Sequence, residues 1–124
     1  MADYVATYLP GQEITQTATA TITGGQVLIN SGEGSVAPSA GASNKVVFVA
    51  CHDGITGQAV TVTRGGVQRL TASAAIAAGV KVKSAAAGQV AAWVSGTDNP
   101  DLIIGTSLTS AAAANATLDV NWSL

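Results

Sequence analysis

The residues with the chemistry of an enzyme stand together at Cys51-His52-Asp53. A thiol, an imidazole and a carboxylate are the parts of an activated nucleophile: the base takes the thiol proton and the carboxylate orients the base. Their spacing argues against that use. Neighbours on an extended chain point to opposite faces, so three consecutive residues do not close the hydrogen-bond relay a triad needs. The triplet reads instead as a strand ending in Cys51, then an Asp-Gly turn. His52 falls at the strand end or at a contact with another subunit, where it would make assembly sensitive to pH. With one cysteine and one histidine in the chain, a zinc set of His and Cys ligands is incomplete. An unpaired cysteine is expected of a protein made in a reducing cytoplasm.

Other groups with chemical potential have equally plain uses. Asp98, Asn99 and Asp101 crowd one loop but lack the regular ligand spacing of a calcium loop, and turn chemistry accounts for Asp-Asn-Pro-Asp. Gly11, Gly24-Gly25 and Gly32-x-Gly34 lack the Lys-Ser/Thr or the following helix of a phosphate loop. Glu13 and Glu33 lie in exposed stretches and make no glycosidase pair. Trp93 and Trp122 are expected in the core or at subunit contacts, with a sugar-stacking platform as the sharper alternative. No catalytic, metal or cofactor site is expected, and no enzyme.

The elements around these residues read as all-β. Residues 46–70, VVFVACHDGITGQAVTVTRGGVQRL, hold an apolar run covered on both faces, a turn at residues 52–54, an alternating strand with Val60 and Val62 on one side, and Gly65-Gly66. Two glycines that both accept positive φ are the signature of a two-residue hairpin, with residues 67–70 returning. Further strands are expected at residues 26–29, 80–83, 89–94, 102–108 and 117–124, with Gly105 at a bulge. Residues 71–79, TASAAIAAG, are the helix candidate, and residues 109–115 a second helical turn or a loop. The count is seven or eight short strands with one or two helical turns: a small β-barrel or β-tulip-like domain over residues 23–124.

Residues 1–22 differ from the rest. Tyr4, Tyr8, Leu9 and Pro10 precede Gly11, Ile14 and a Thr/Ala alternation. Pro10 and Gly11 break any helix, and the alternation offers only Ala and Ile on its second face. An extended arm is expected, its tyrosines suited to docking on another protein.

Composition narrows the function. Of the 124 residues 48% are hydrophobic but only 10% charged, against roughly 25% charged in average soluble domains. So little charge suits a surface covered by neighbours in an oligomer or lattice. The net charge of −2 and the scattered Lys45, Arg64, Arg69, Lys81 and Lys83 offer no basic patch for nucleic acid. No run approaches the roughly 18–20 apolar residues of a membrane span, and residues 1–4 do not open a secretion signal.

Residues 24–124 resemble the capsid-cement, or head-decoration, proteins of tailed bacteriophages. The likeness is carried by the strand–turn–V-x-V–Gly-Val pattern of residues 46–70, by AIAAG at residues 75–79 entering VKV, by IGTS at residues 104–107 before an Ala-rich segment, and by VNWSL at residues 120–124. The resemblance implies a virion structural protein, made in the host bacterial cytoplasm and carried on the outer capsid surface. It implies partners in the major capsid protein and in further copies of itself, as a homotrimer, with no nucleic acid and no membrane. Such proteins bind the expanded shell where coat subunits meet and stabilise it without catalysis. Capsid contacts are then expected on the arm at Tyr4, Tyr8, Leu9, Pro10 and Ile14, and oligomer contacts at His52, Trp93 and Trp122. A virion-surface carbohydrate-binding or host-adhesion β-domain is the alternative.

Overall fold

The structure is a computed structural model and describes residues 13–124. Five strands, β1 (Ile14–Ala18), β2 (Val27–Gly32), β3 (Ser35–Pro38), β4 (Val46–Ala50) and β5 (Ala59–Thr63), close a barrel in the order β1-β3-β2-β4-β5. Five more, β6 (Val67–Thr71), β7 (Lys81–Ser84), β8 (Val90–Ala92), β9 (Ile103–Ser107) and β10 (Thr117–Trp122), form a second sheet in the order β6-β10-β9-β7-β8. Every strand pair is antiparallel except β1 with β3. The second sheet curls until its two edges touch: Ala72 bridges Val90, and the Ser73 N–H donates to the Val90 carbonyl at 2.8 Å.

Two cores follow from the alternation. Leu28, Val36, Val60 and Val62 fill the barrel, while Leu70, Val82, Val90, Ile104, Leu118 and Val120 line the inner face of the second sheet. β2 and β4 serve both. Leu28 points into the barrel, and Val27 and Ile29 point out to the second sheet. On β4 a register shift, Leu28 opposite Phe48 but Ile29 opposite Val46, turns Val47 and Phe48 to the barrel side and leaves Val46 and Val49 for the other core. The apolar run expected to be covered on both faces is covered on both. At about 25 cal/mol per Å² of apolar surface removed from water, these two-faced strands are stabilised twice over.

Three expectations are corrected. The sequence places residues 14–22 in an extended arm; the structure builds β1 into the barrel, paired with β5 from Ile14↔Val62 to Thr17↔Ala59. Ala18 and Ile22, each 1% exposed, sit in the barrel core, which is narrow enough that small side chains fill it. Ile14, expected as a capsid contact, is half-buried against that core. Second, Gly65 and Gly66 do take positive φ, 78° and 60°, but β5 and β6 do not pair. The turn hands the chain from the barrel to the second sheet, where β6 gains β10 and Leu70 is buried. Third, residues 71–79 form no helix. Eight or nine residues nucleate poorly alone, and the bridges Ala72↔Val90 and Ile76↔Ala111 hold the segment extended. The helical pieces among the described residues are 3-10 turns at Ala86–Gly88 and Pro100–Leu102.

Candidate functional site

At the end of β4 the Cys51-His52-Asp53 groups are engaged separately. His52 Nε2 accepts the Thr61 N–H at 3.1 Å, so the ring proton sits on Nδ1 and is donated to the Asp53 backbone carbonyl at 2.8 Å. The Asp53 carboxylate instead accepts the Gly24 N–H at 2.8 Å and ties the β1–β2 connection to this turn. Neither ring nitrogen of His52 is left to take a proton from Cys51. The cysteine is exposed as a residue, but partial shielding of its thiol, and secondarily the Glu13 carboxylate, push that thiol above its ordinary range. A raised thiol is a poorer nucleophile at neutral pH.

The acidic loop is a folded turn. Asp98 accepts from Lys83 Nζ at 2.7 Å and from the Val94 N–H at 2.8 Å. These side chains are 21% and 13% exposed for Lys83 and Asp98. First the lysine, then the Val94 N–H, hold the Asp98 carboxyl below the usual carboxylate range. Asn99 caps the 3-10 turn by accepting the Asp101 N–H at 2.9 Å. Trp93, half-buried, donates its indole N–H to the Asn99 carbonyl at 2.9 Å, so it pins residues 94–102 over the outer face of β7. No group of three or more His, Cys, Asp or Glu placed to hold a metal occurs among the described residues.

Trp122, 6% exposed, lies in the second-sheet core. Of the two places expected for it, core or subunit contact, the structure shows the core, and this follows from the alternation with Leu118 and Val120. Its indole N–H has no hydrogen-bond partner among the described residues. Tyr4, Tyr8, Leu9 and Pro10 lie outside the described residues.

The feature missed by sequence reasoning is the outer wall of the barrel. Thr15, Thr17, Thr19, Thr21 and Thr23 all point outward, exposed, along one stretch of chain. Thr15 stands opposite Thr61 on β5, and the Thr19 and Ser31 hydroxyls meet at 2.7 Å. The row ends at a groove of about 360 Å³ lined by Thr21, Ile22, Thr23, Asp53, Gly54 and Ile55, with Ile55 64% exposed. The signal is the strict alternation of Thr15, Thr17, Thr19, Thr21 and Thr23 with Gln16, Ala18, Ala20 and Ile22, whose buried side is small and so weak as a strand mark.

The hydrogen-bonding groups near β4 and in the acidic loop are engaged in turns and connections, and the open surfaces are sheet faces of an all-β protein. The sequence model of the phage cement proteins matches residues 8–122. The chain belongs to the phage cement protein family and is a structural protein of the phage virion. Among solved structures it is similar to the head fiber gp8.5 N base of bacteriophage phi29, at 19% identity and a TM-score of 0.69, over 90% of this chain and 93% of that one. At that identity the likeness is one of fold. No curated protein matches the chain. No helix among the described residues is long and apolar enough to cross a membrane.

Proposed function

We propose that this protein binds the outer surface of the expanded capsid where coat subunits meet, as a homotrimer, and stabilises the shell without catalysis. The family match over residues 8–122 carries this reading. Residues 1–12, with Tyr4, Tyr8, Leu9 and Pro10, serve as an arm that lies on the coat protein, and residues 13–124 are the decoration domain. His52 and the exposed edge of Trp93 are the surface residues offered to neighbouring copies.

The mechanism is one of linkage. A protein that binds only the expanded lattice stabilises that state by RT ln(1 + [L]/Kd) at each site. Repeated sites on a shell let many modest contacts act together. Neither effect needs a reactive group.

Co-sedimentation with unexpanded and expanded empty heads tests the proposal. Saturable binding to expanded heads alone, near one copy per coat subunit, is expected. Deleting residues 1–12 should abolish that binding and leave the thermal melt of the domain in place. Binding to neither form of head would refute the proposal and move attention to glycans and Trp93.

A further inference from the structure

The two halves of the chain repeat one plan. The order β6-β10-β9-β7-β8 of the second sheet, closed by the Ala72↔Val90 bridge, is the cycle β1-β5-β4-β2-β3 of the barrel. Partners agree residue by residue. Leu28 stands opposite Pro38 and Phe48, and Val82 opposite Ala92 and Gly105. The register shift after Leu28, between β2 and β4, recurs after Val82, between β7 and β9. Ile14↔Val62 and Thr17↔Ala59 correspond to Gln68↔Val120 and Thr71↔Thr117. The parallel contact recurs as well, Ala18↔Val36 in the barrel and Ala72↔Val90 in the second sheet. Beside it, Thr19 and Ser73 each give both N–H and hydroxyl to the facing valine carbonyl, of Val36 and Val90.

The connections match as closely as the strands. Ile22 and Gly54 exchange backbone hydrogen bonds of 2.8 and 2.9 Å, and Ile76 and Ala111 exchange bonds of 2.9 and 2.8 Å. Left-handed residues fall at the same places: Gly25 and Gly79 at φ 88° and 80°, Gly34 and Gly88 at 63° and 67°, Gly57 and Asn115 at 86° and 68°. Asparagine is among the few side chains that tolerate this conformation. Agreement at once in strand order, register, bulge and left-handed positions is the mark of a duplicated unit.

The positions where the two units differ tell what each face does. The outward pairs on β2 and β4 are Val27 with Val49 and Ile29 with Val46, and they bury against the second sheet. At the same places β7 and β9 carry Lys81 with Thr106 and Lys83 with Ile103. Lys81 Nζ donates to Thr106 Oγ1 at 3.0 Å, and Lys83 Nζ to Asp98 at 2.7 Å. The next connection differs too. In the first unit, residues 39–45 join the two units: Ser39 Oγ donates to the Ala85 carbonyl at 2.7 Å, and Ser84 Oγ to the Gly41 carbonyl at 2.9 Å. In the second unit the longer connection, residues 93–102, folds back over its own β7, held by the Trp93–Asn99 and Lys83–Asp98 bonds. The face that stacks one unit on the next has become lysine-bearing and covered.

We infer that the chain is a duplicated five-stranded unit, and that Lys81, Lys83 and residues 93–102 form a cap that denies the stacking face of the second unit to another copy of this chain. The excluded occupant is set by the interface already inside the molecule: what covers this face on the first unit is a unit of the same plan. Repeat proteins close their terminal units with a polar outer face for the same reason. A head-to-tail face left open adds copy upon copy unless the rotation closes a ring. The cap follows from the repeat alone and stands whether or not heads are bound. On a shell surface it limits the protein to a single layer.

The test gives the second unit the residues of the first, Lys81→Val together with Lys83→Ile, and follows mass by light scattering over a range of concentrations. β-Branched residues suit strands, and thermal melts check that the fold is kept. The average mass is expected to climb with concentration to at least about twice that of the unmodified protein, as further copies stack. Thr15→Val with Thr17→Ile is the control. It sets the same side chains at the same spacing on the exposed face of β1 and should leave the mass unchanged. Amine labelling read by peptide mass spectrometry tests the cap separately. Trp93→Ser removes the pin on residues 94–102, so Lys83 should label roughly fivefold faster relative to Lys81 than in the unmodified protein, as the covering loop opens. If the Lys81/Lys83 variant does not fold, the labelling decides alone. A mass that stays flat in that variant, a control that associates equally, or a Lys83 to Lys81 ratio unmoved by Trp93→Ser would each overturn the inference.

Discussion

Replacing Gly105 by alanine is expected to lower the melting temperature by about 12 °C. Gly105 sits in β9 with Trp122 of β10 opposite on one side and Val82 of β7 on the other. A Cβ there would fall inside contact distance of the Asn121 carbonyl oxygen, 2.7 Å from Val120 Cγ1 and 3.2 Å from the Asn121 carbonyl carbon. The nearest obstacle is backbone in a strand held between β6 and β9, so it does not swing aside as a long side chain would. Overpacking of this kind costs about 1–3 kcal/mol, and weakening one ladder hydrogen bond adds about 1 kcal/mol. Taking about 3 kcal/mol in total, and about 2.1 cal/mol/K of unfolding entropy per residue, the 124-residue chain shifts by about 4 °C for each kcal/mol. Thermal melts followed by circular dichroism give the answer directly. Gly41→Ala is the control: nothing lies within 4 Å of its Cβ and its φ is not positive, so it should stay within about 0.5 kcal/mol of the unmodified protein. A Gly105→Ala melt within about 4 °C of the unmodified protein would show that β9 and β10 separate freely, and the packing argument would be wrong.

Cys51 should react with a maleimide at neutral pH more slowly than free cysteine, because shielding and Glu13 raise its thiol. Glu13→Gln should speed the reaction, and an unchanged rate would remove Glu13 as a cause. The Asp98 carboxyl is depressed in the folded state. It therefore contributes stability above its unfolded value near 4, and that contribution is lost as pH falls through the lower folded value. Protection of the amides in residues 94–102, taken relative to their intrinsic exchange rates, should fall in that acid window, and Asp98→Asn should show low protection already at neutral pH. If exchange in Asp98→Asn matched the unmodified protein at neutral pH, the Lys83 and Val94 bonds would not be what orders the loop.

Strands with a buried partner on a known face were legible in the sequence. Val60 and Val62, Leu118 and Val120, and the two-sided run of β4 announce themselves by alternation or by its absence. What sequence did not reveal was partnership. Gly65-Gly66 specifies a turn through local φ, but whether the flanking strands pair depends on β10, some fifty residues later in the chain. The alanines of residues 71–79 carry helix propensity, and that weak local preference yields to two bridges made with distant segments, Val90 of β8 and Ala111 between β9 and β10. Among candidate functional residues, the engagement of His52 by Thr61 and the pinning of Trp93 by Asn99 are geometric facts with no composition signature. The threonine row was visible as a pattern, but that it lies on the outer wall of a barrel depends on the pairing of β1 with β5, which is long-range.

The sharing of β2 and β4 between two cores bears on how the chain is made. All five barrel strands precede the second sheet in sequence, so the barrel leaves the ribosome first. At that moment Val27, Ile29, Val46 and Val49 have no cover, since the strands that bury them have yet to be synthesised. The nascent barrel carries a sticky outer stripe for as long as residues 67–122 take to emerge, a few seconds at bacterial rates of up to about 20 residues per second. The Gly65-Gly66 turn looks like a place to divide the protein, but a fragment ending there would keep that stripe for good. Shortened or permuted versions meant to display cargo on a shell should therefore keep the second sheet intact and accept insertions in its outward loops.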